Sequence, residues 1–210
     1  YRHGGVFLQD VFEAVPGRLR LNGAVRFSAA SYAVDAATVN ALFEAARWTM
    51  SSYNAQPWRY IVGIRDDGTT TWQKVHDCLV EGNQPWAKNA PVLVLGLVKT
   101  TFAHNGKPNS AAEHDLGAAS AFLTLEAVSR GLCVHQMIGI DADKVIATFA
   151  PGPDIKPLTA LAIGYQGKPE HIPEAYAARD GRLVSTAHAV PTPDFDPAAH
   201  GLRPVSLQVW

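Results

Sequence analysis

The spacing of apolar residues and the capping residues predict three helices in the chain. The first segment follows Asp35, a favoured N-cap residue, and predicts an amphipathic helix over residues 36–48. The second predicts a helix over residues 115–130, with small side chains on its first turns and Gly131 as its C-cap. A third helix, capped at its start, is predicted over residues 141–149.

Strand patterns lie between and beyond these helices. The continuous apolar run from Val92 to Val98 is typical of a strand that is buried on both faces. Further core strands are predicted at residues 58–64, 132–137 and 159–165, and residues 205–210 alternate like an edge strand. Because helices and strands are interleaved, the pattern predicts one sheet with flanking helices, of the α/β or the α+β class.

Composition narrows the functional classes. A length of 210 residues without a fixed repeat favours a single domain. The net charge is −1 and no basic run supplies a local field, so nucleic acid is not expected as a partner. No apolar stretch approaches the ~20 residues that a membrane helix needs, and the first ten residues do not resemble a secretory signal. Two cysteines cannot form a disulfide framework in a chain of this size, so we expect a cytoplasmic protein.

Common catalytic and nucleotide-binding motifs are absent from the sequence. It contains no Gly-x-Gly-x-x-Gly fingerprint, no P-loop and no Gly-x-Ser-x-Gly elbow. His76 with Cys78, and Cys133 with His135, place two metal-ligand types two residues apart, but neither pair has the second pair that a zinc site needs. Such residues inside apolar segments are more often packed in the core, so we expect no metal.

The most informative segment joins the first predicted helix to the first predicted strand. Residues 47–60 read Arg-Trp-Thr-Met-Ser-Ser-Tyr-Asn-Ala-Gln-Pro-Trp-Arg-Tyr, which concentrates hydroxyl, amide and aromatic groups in one turn. Such groups suit the edge of a flat heterocycle, because amides pair with an imide and hydroxyls with a polar rim. The same composition also fits an ordinary loop that ends a helix with capping serines. On composition alone, both interpretations stay open.

Five regions in the same order resemble motifs of the FMN-dependent nitroreductase family. Residues 47–60 are similar to the family's Arg-Trp-x-Pro-Ser-Ser-x-Asn-x-Gln-Pro-Trp-Arg-Phe segment. The other similar regions are Arg-Phe-Ser-Ala-Ala-Ser-Tyr at 26–32, Gly-Asn-Gln-Pro-Trp-Ala-Lys-Asn-Ala-Pro at 82–91, His-Asp-Leu-Gly-Ala-Ala at 114–119 with Gly-Leu-Cys-Val-His-Gln-Met-Ile-Gly at 131–139, and Leu-Ala-Ile-Gly-Tyr at 161–165.

The resemblance implies an α+β sandwich, in which a central, mostly antiparallel sheet is flanked by helices. It also implies an intertwined homodimer with two FMN sites in its interface, each flavin being held by both chains. Residues 1–210 then form a single domain, with an N-terminal extension over residues 1–20. Residues 170–210 are expected to form a C-terminal arm that reaches the partner chain.

For the phosphate end of FMN, the resemblance assigns the motif Arg26, Phe27 and Ser28. A guanidinium suits a dianionic phosphate, and a serine hydroxyl suits a further oxygen of the phosphate or ribityl chain. Phe27 stands where the family has a basic residue. Near the carboxyl terminus, where the family completes the phosphate site with basic residues, the comparable stretch offers only Arg203, in an offset position. Other candidates are Arg179 and Arg182.

For the flavin ring, the resemblance assigns Ser51, Ser52 and Asn54 of one chain to the flavin of the partner, with Gln56 supporting their turn. Asn83 is expected to hydrogen-bond the pyrimidine edge. The opposite ring face, where a backbone N–H is available to flavin N5, is assigned to Gln136, Met137, Ile138 and Gly139.

The activity implied by the resemblance is that of an FMN oxidoreductase. It takes a hydride from NADH or NADPH and passes electrons to a nitroaromatic, quinone or similar flat acceptor. No catalytic acid or base is assigned, and the loop over residues 101–111, with Phe102 and His104, is the expected place for substrate selection. Two alternatives stay open: a flavin-dependent oxidase that uses oxygen, and a non-catalytic flavin-binding or assembly subunit.

Overall fold

The structure is a computed structural model and describes residues 33–165. The predicted extension, the C-terminal arm with its edge strand, and the phosphate-site residues Arg26, Phe27, Ser28 and Arg203 lie outside the described residues. The described elements, in chain order, are α1 (Ala36–Arg47), a 3₁₀ turn (Ser52–Asn54), β1 (Trp58–Ile64), α2 (Thr71–Asp77), α3 (Gln84–Ala87), β2 (Val92–Lys99), α4 (Ala112–Ser129), β3 (Leu132–Met137), α5 (Ala142–Phe149) and β4 (Ile155–Tyr165).

The four described strands form one antiparallel sheet in the order β1-β2-β4-β3. Trp58 at the start of β1 pairs with Val98 at the end of β2, and Met137 at the end of β3 pairs with Ala160 of β4. With helices on both faces, this sheet confirms the predicted α+β class.

Both faces of the sheet are buried by helices. One hydrophobic cluster contains Val92, Val94 and Val98 of β2 together with apolar residues of α1 and α4. The other contains the intervening leucines of β2 together with apolar residues of α2, α3 and α5. Because alternate residues of a strand point to opposite faces, each face receives its own set of β2 side chains. This explains the continuous apolar run in β2.

The predicted helix starts at Asp35 and Asp141 are confirmed. The Asp35 carboxylate accepts a hydrogen bond from the N–H of Thr38 at 2.8 Å, and the Asp141 carboxylate accepts one from the N–H of Lys144 at 3.0 Å. These bonds satisfy main-chain donors that have no partner inside the helix.

The starts of α4 and β4 differ from the prediction by several residues. Helix α4 begins at Ala112 rather than at residue 115, because the side chain of Asn109 accepts a hydrogen bond from the N–H of Ala111 and starts the turn earlier. Strand β4 begins at Ile155 rather than at residue 159. It accommodates Pro157, which needs no hydrogen-bonding partner on the β3 side because β3 pairs only with residues 160–165.

Two short helices, α2 and α3, have no counterpart in the sequence-based prediction. Helix α2 has seven residues and α3 has four, which is too short for a helical repeat of apolar positions to stand out. Within residues 33–165, no helix has the length and apolar character needed to cross a membrane.

Gly63 of β1 lies directly under the backbone of α2. A Cβ atom built on Gly63 would lie 2.5 Å from the Cα and 2.7 Å from the N of Trp72, so a larger residue would have to displace the helix main chain. At Gly82, by contrast, an added Cβ meets no atom of the described residues within 4 Å.

We therefore predict that Gly63→Ala lowers the free energy of unfolding by about 1–3 kcal/mol, the usual cost of overpacking. Gly82→Ala is the matched control and is expected to change it by less than about 0.5 kcal/mol. Urea denaturation followed by far-ultraviolet circular dichroism measures both values. Equal stability of Gly63→Ala and the wild-type protein would show that α2 does not pack on β1 in solution.

Candidate functional site

The loop between α1 and β1, residues 51–56, has an unusual backbone. Three of its residues that are not glycine adopt positive φ angles, namely Tyr53 at 52°, Asn54 at 52° and Gln56 at 45°. A left-handed conformation is uncommon outside glycine; each such residue costs about 1–3 kcal/mol and persists only where its surroundings hold it. The loop therefore depends on specific contacts to keep its shape.

Those contacts come largely from the loop's own polar side chains. The Ser51 Oγ accepts a hydrogen bond from the N–H of Gln56 at 3.0 Å, and the Gln56 Nε2 donates to the Asn54 Oδ1 at 3.0 Å. The Arg59 guanidinium donates to the carbonyl of Gln56 at 2.9 Å. A hydroxyl that accepts one bond still has its own hydrogen to donate, and an amide bonded at its oxygen still has its NH₂ group. Ser51 and Asn54 are thus oriented and retain donors.

The loop is also tied to α4 by a carboxylate. The N–H of Ser52 donates to the Asp115 Oδ2 at 3.0 Å, and Asp115 is only 3% exposed. The other carboxylate oxygen of Asp115 lies 3.1 Å from the Nδ1 of His114, whose side chain is exposed. Asp115 is not among the site residues predicted from the sequence. The available signal was its position on the apolar face of α4, together with Ala112, Leu116 and Ala119, where a carboxylate needs a partner.

A second group of predicted site residues meets between the start of α3 and the end of β3. The Asn83 Nδ2 donates to the carbonyl of Gly139 at 3.1 Å, and the N–H of Val80 donates to the same carbonyl at 3.1 Å. A Cβ added to Gly139 would collide with the Asn83 amide nitrogen and a methyl of Val80, so a larger residue would require these two side chains to move. The Asn83 amide oxygen remains as an acceptor.

The remaining predicted residues of this segment point in different directions. Met137 is buried in the core, whereas Ile138 is 81% exposed. Gln136 donates to the Thr124 Oγ1 at 2.9 Å and to the Ser120 carbonyl at 3.2 Å, which directs it toward α4. Within residues 33–165, neither the N–H of Ile138 nor that of Gly139 donates to a main-chain carbonyl.

The structure places the two groups at opposite edges of the sheet. The loop 51–56 leads into edge strand β1, and the segment 138–139 follows edge strand β3. β1 begins and β3 finishes at the same end of the sheet, as their pairing with β2 and β4 requires. Three spacings of about 4.8 Å separate the two edge strands, or about 14 Å. Within one chain, the two groups are not brought together.

Of the four residues with metal-ligand spacing, Cys78 is buried, and His76, Cys133 and His135 are half-buried. The His76 ring stacks on Trp72 with a centroid separation of 5.3 Å, and its Nε2 lies 3.0 Å from the Gln84 carbonyl. Burial raises the pKa values of the Cys78 and Cys133 thiols and lowers the pKa of His135. Among the described residues, no group of three or more His, Cys, Asp or Glu side chains is arranged to hold a metal ion.

The sequence of the chain matches a known protein family. The sequence model of the nitroreductase family matches residues 25–165 of the chain. The chain belongs to the nitroreductase family. One relative is the uncharacterised 15.4 kDa protein in the ask 5′ region of Mycolicibacterium smegmatis. It is 35% identical to this chain over 133 residues, which cover 59% of this chain and 86% of that protein.

Solved structures agree with this membership. An oxidoreductase containing FMN has a TM-score of 0.68 and 30% identity, covering 73% of this chain and 77% of that one. A nitroreductase family protein from Clostridium difficile 630 has a TM-score of 0.59, 18% identity and covers 87% of this chain and 92% of that one. Because the second protein is only 18% identical, its similarity supports the fold alone. These matches confirm the family and the fold that were predicted from the sequence. At the level of the family, they also confirm the predicted FMN cofactor.

The chemistry of the described residues fits a flavin. The loop 51–56 offers hydroxyl and amide donors, and Asn83 offers an amide acceptor, which are the groups that an imide and a polar ring edge require. Because Gly139 has no side chain, Asn83 and Val80 can approach its main chain closely. The individual residue assignments to FMN remain predictions.

The bond from Ser52 to Asp115 gives a prediction about the loop. Asp115→Leu leaves the Ser52 N–H without its charged partner, which costs about 1.5–3 kcal/mol. We expect lower stability and faster chymotrypsin cleavage after Tyr53, which is 83% exposed. Asp115→Asn retains a carbonyl acceptor and is expected to behave nearly like the wild-type protein.

His114→Ala is the matched control, since it removes only the exposed partner of the same carboxylate and is expected to have a small effect. The measurements are urea denaturation and the rate of cleavage at Tyr53 followed by mass spectrometry. If Asp115→Leu and His114→Ala were cleaved at equal rates, Asp115 would not be what holds the loop.

Proposed function

We propose that the protein is an FMN-dependent oxidoreductase that takes a hydride from NADH or NADPH and reduces a nitroaromatic, quinone or similar flat acceptor. Membership of the nitroreductase family and the likeness to an FMN-containing oxidoreductase support a flavin oxidoreductase in general. A putative NADH dehydrogenase/NAD(P)H nitroreductase from Parabacteroides distasonis shares the fold, at a TM-score of 0.55 and 20% identity over 69% of this chain and 82% of that one. The nicotinamide and the acceptor belong to the proposal.

The observation that carries the proposal is the division of the candidate flavin residues between two edges of one sheet. Ser51, Ser52 and Asn54 lie at the β1 edge, while Asn83 and Gly139 lie at the β3 edge. About 14 Å of sheet separates them within one chain. A homodimer in which the β1 edge of one protomer meets the β3 edge of the other would bring both groups to one flavin. Family members are typically dimeric, which supports a dimer in general.

In this proposal, the residues of the chain bind and orient the cofactor. Ser51 and Asn54 donate from the strained loop, and Asn83 accepts from the imide edge of the ring. When bound, FMN supplies the hydride and electron transfer. The described residues at both edges are mainly neutral amides and hydroxyls, so no dedicated acid or base is assigned. The phosphate is assigned to Arg26 and Ser28, with Arg203 as a further candidate.

The first test is the visible spectrum of the purified protein. We expect flavin bands, release of FMN on heating, and anaerobic bleaching by NADH or NADPH that a quinone reverses. A flavin that neither nicotinamide bleaches, but that is reduced by an organic substrate and reoxidised by oxygen, would support the oxidase alternative. A protein that stays colourless after incubation with FMN would support a binding or assembly subunit.

The second test is complementation between two variants that each lose flavin. Asn54→Gly removes the amide while glycine tolerates the positive φ, and Asn83→Ala removes the amide at the other edge. Each variant alone is expected to lose flavin. In a statistical mixture, half of the dimers contain one chain of each kind, and one of their two sites has both amides. About a quarter of the sites should therefore recover flavin, as C2 symmetry predicts.

Asn40→Ala, on the exposed face of α1, is the matched control and is expected to retain full flavin content. The readout is the ratio of flavin to protein absorbance after the two variants are co-refolded and separated by size. Recovery near zero, with dimers present, would place both amides at the same site within one chain and would contradict the shared site.

A further inference from the structure

We propose that Tyr53, Phe102 and His104 form an aromatic cluster that binds flat aromatic electron acceptors beside the flavin-binding loop. The proposal rests on the proposed function and deepens it, because it names the residues that select the acceptor. It joins two regions that are separate in the sequence, namely the loop 51–56 and the loop between β2 and α4.

The three rings are in mutual contact. The Tyr53 and Phe102 rings meet edge to face, with centroids 5.6 Å apart and an angle of 77° between their planes. The His104 ring lies 5.9 Å from that of Tyr53 and 5.4 Å from that of Phe102. These separations are within the range in which aromatic rings attract each other.

The cluster is open on the side of Tyr53. In the single chain, Tyr53 is 83% exposed and His104 is exposed, so the rings contact one another without being enclosed by the described residues. Tyr53 is held in this position at a positive φ of 52°, a conformation that its neighbours must maintain. An aromatic side chain that is fixed at the surface in a strained backbone offers a ready stacking surface for a flat ligand.

The supporting loop is compact and carries two of the rings at fixed positions. Thr101 forms an isolated bridge with Pro108, and the N–H of Phe102 donates to the Lys107 carbonyl at 2.8 Å. The N–H of Gly106 donates to the Phe102 carbonyl at 2.9 Å. At the base of the loop, the N–H of Thr100 donates to the Asp154 carbonyl at 2.8 Å. Phe102 and His104 are therefore positioned before any ligand binds, which lowers the entropic cost of binding.

The position of Tyr53 connects the cluster to the flavin. Tyr53 lies between Ser52 and Asn54, two of the residues that the proposal assigns to the cofactor. A ligand stacked on Tyr53 would lie next to the groups that hold the flavin ring. The Tyr53 hydroxyl and the His104 ring add polar groups that can pair with a quinone or nitro oxygen. Apolar rings with a polar rim suit a flat aromatic molecule that carries oxygen substituents.

The test compares Tyr53→Ala with Tyr53→Phe, which retains the ring. For a naphthoquinone acceptor, we expect Tyr53→Ala to raise KM about five- to tenfold, and Tyr53→Phe to restore it largely, as the usual strength of one aromatic contact predicts. Ferricyanide is the control acceptor, because it takes electrons without stacking, and its KM should not change. Flavin content and the rate of bleaching by a reduced nicotinamide should also stay at wild-type values.

A binding measurement makes the inference independent of turnover. The flat, non-reducible ligand 2-naphthoate should show saturation-transfer NMR signals with the wild-type protein and with Tyr53→Phe, and lose them with Tyr53→Ala. If Tyr53→Ala folds poorly, Phe102→Leu provides the same comparison from the other loop. An unchanged naphthoquinone KM and unchanged 2-naphthoate signals would overturn the inference while leaving the proposed function intact. Absence of flavin or of bleaching in the wild-type protein would instead contradict the proposed function.

A third outcome identifies a different role for the cluster. If Tyr53→Ala changed the oligomeric state in size-exclusion chromatography, the rings would be contacts with a second copy of the chain. That result would overturn their assignment to an acceptor.

Discussion

Burial of both faces of the sheet is the constraint on which the rest of the structure depends. Strand β2 sends Val92 and Val94 to the α1–α4 side and Leu93 and Leu95 to the other side, and every residue from 92 to 98 is buried. A strand that is apolar on both faces must lie inside the sheet. The more exposed strands β1 and β3 therefore take the edges, and the polar segments attached to them lie at the margins of the fold.

Helix α4 connects these margins on one face of the sheet. Asp115 holds the N–H of Ser52, the Ser120 hydroxyl lies 3.1 Å from the Tyr60 hydroxyl of β1, and Gln136 of β3 donates to the Ser120 carbonyl. These contacts are spread over two turns of one helix. A rigid helix that touches both edge strands fixes the position of the loop 51–56 relative to β3. Contacts between residues of three separate motifs, made through α4, therefore contribute to the geometry of the candidate site.

Sequence reasoning predicted the elements whose ends carry chemical signals. Strands β1 and β3 have the predicted bounds, because turn residues flank them. The start of β4 was missed because Pro157 normally indicates that a strand is interrupted. Here strand β3 pairs only with residues 160–165 of β4, so no strand on that side needs an N–H from Pro157. The contact between Tyr53 and Phe102 joins residues that are 49 positions apart in the sequence, and no pattern of neighbouring residues can predict such a contact. The same holds for Asp115 and Ser52, which are separated by 63 positions.

The two interpretations that composition left open for residues 47–60 are compatible. The loop does end a helix, and Ser51 uses its oxygen to bond the main chain of Gln56, as a structural serine would. Gln56 in turn uses its amide to orient Asn54, so each polar group has one contact that shapes the loop. Serine, asparagine and glutamine all have more hydrogen-bonding capacity than one such contact uses. The same residues can thus stabilise an otherwise costly backbone and still present donors to a ligand, which explains why structural and binding signals coincide in this segment.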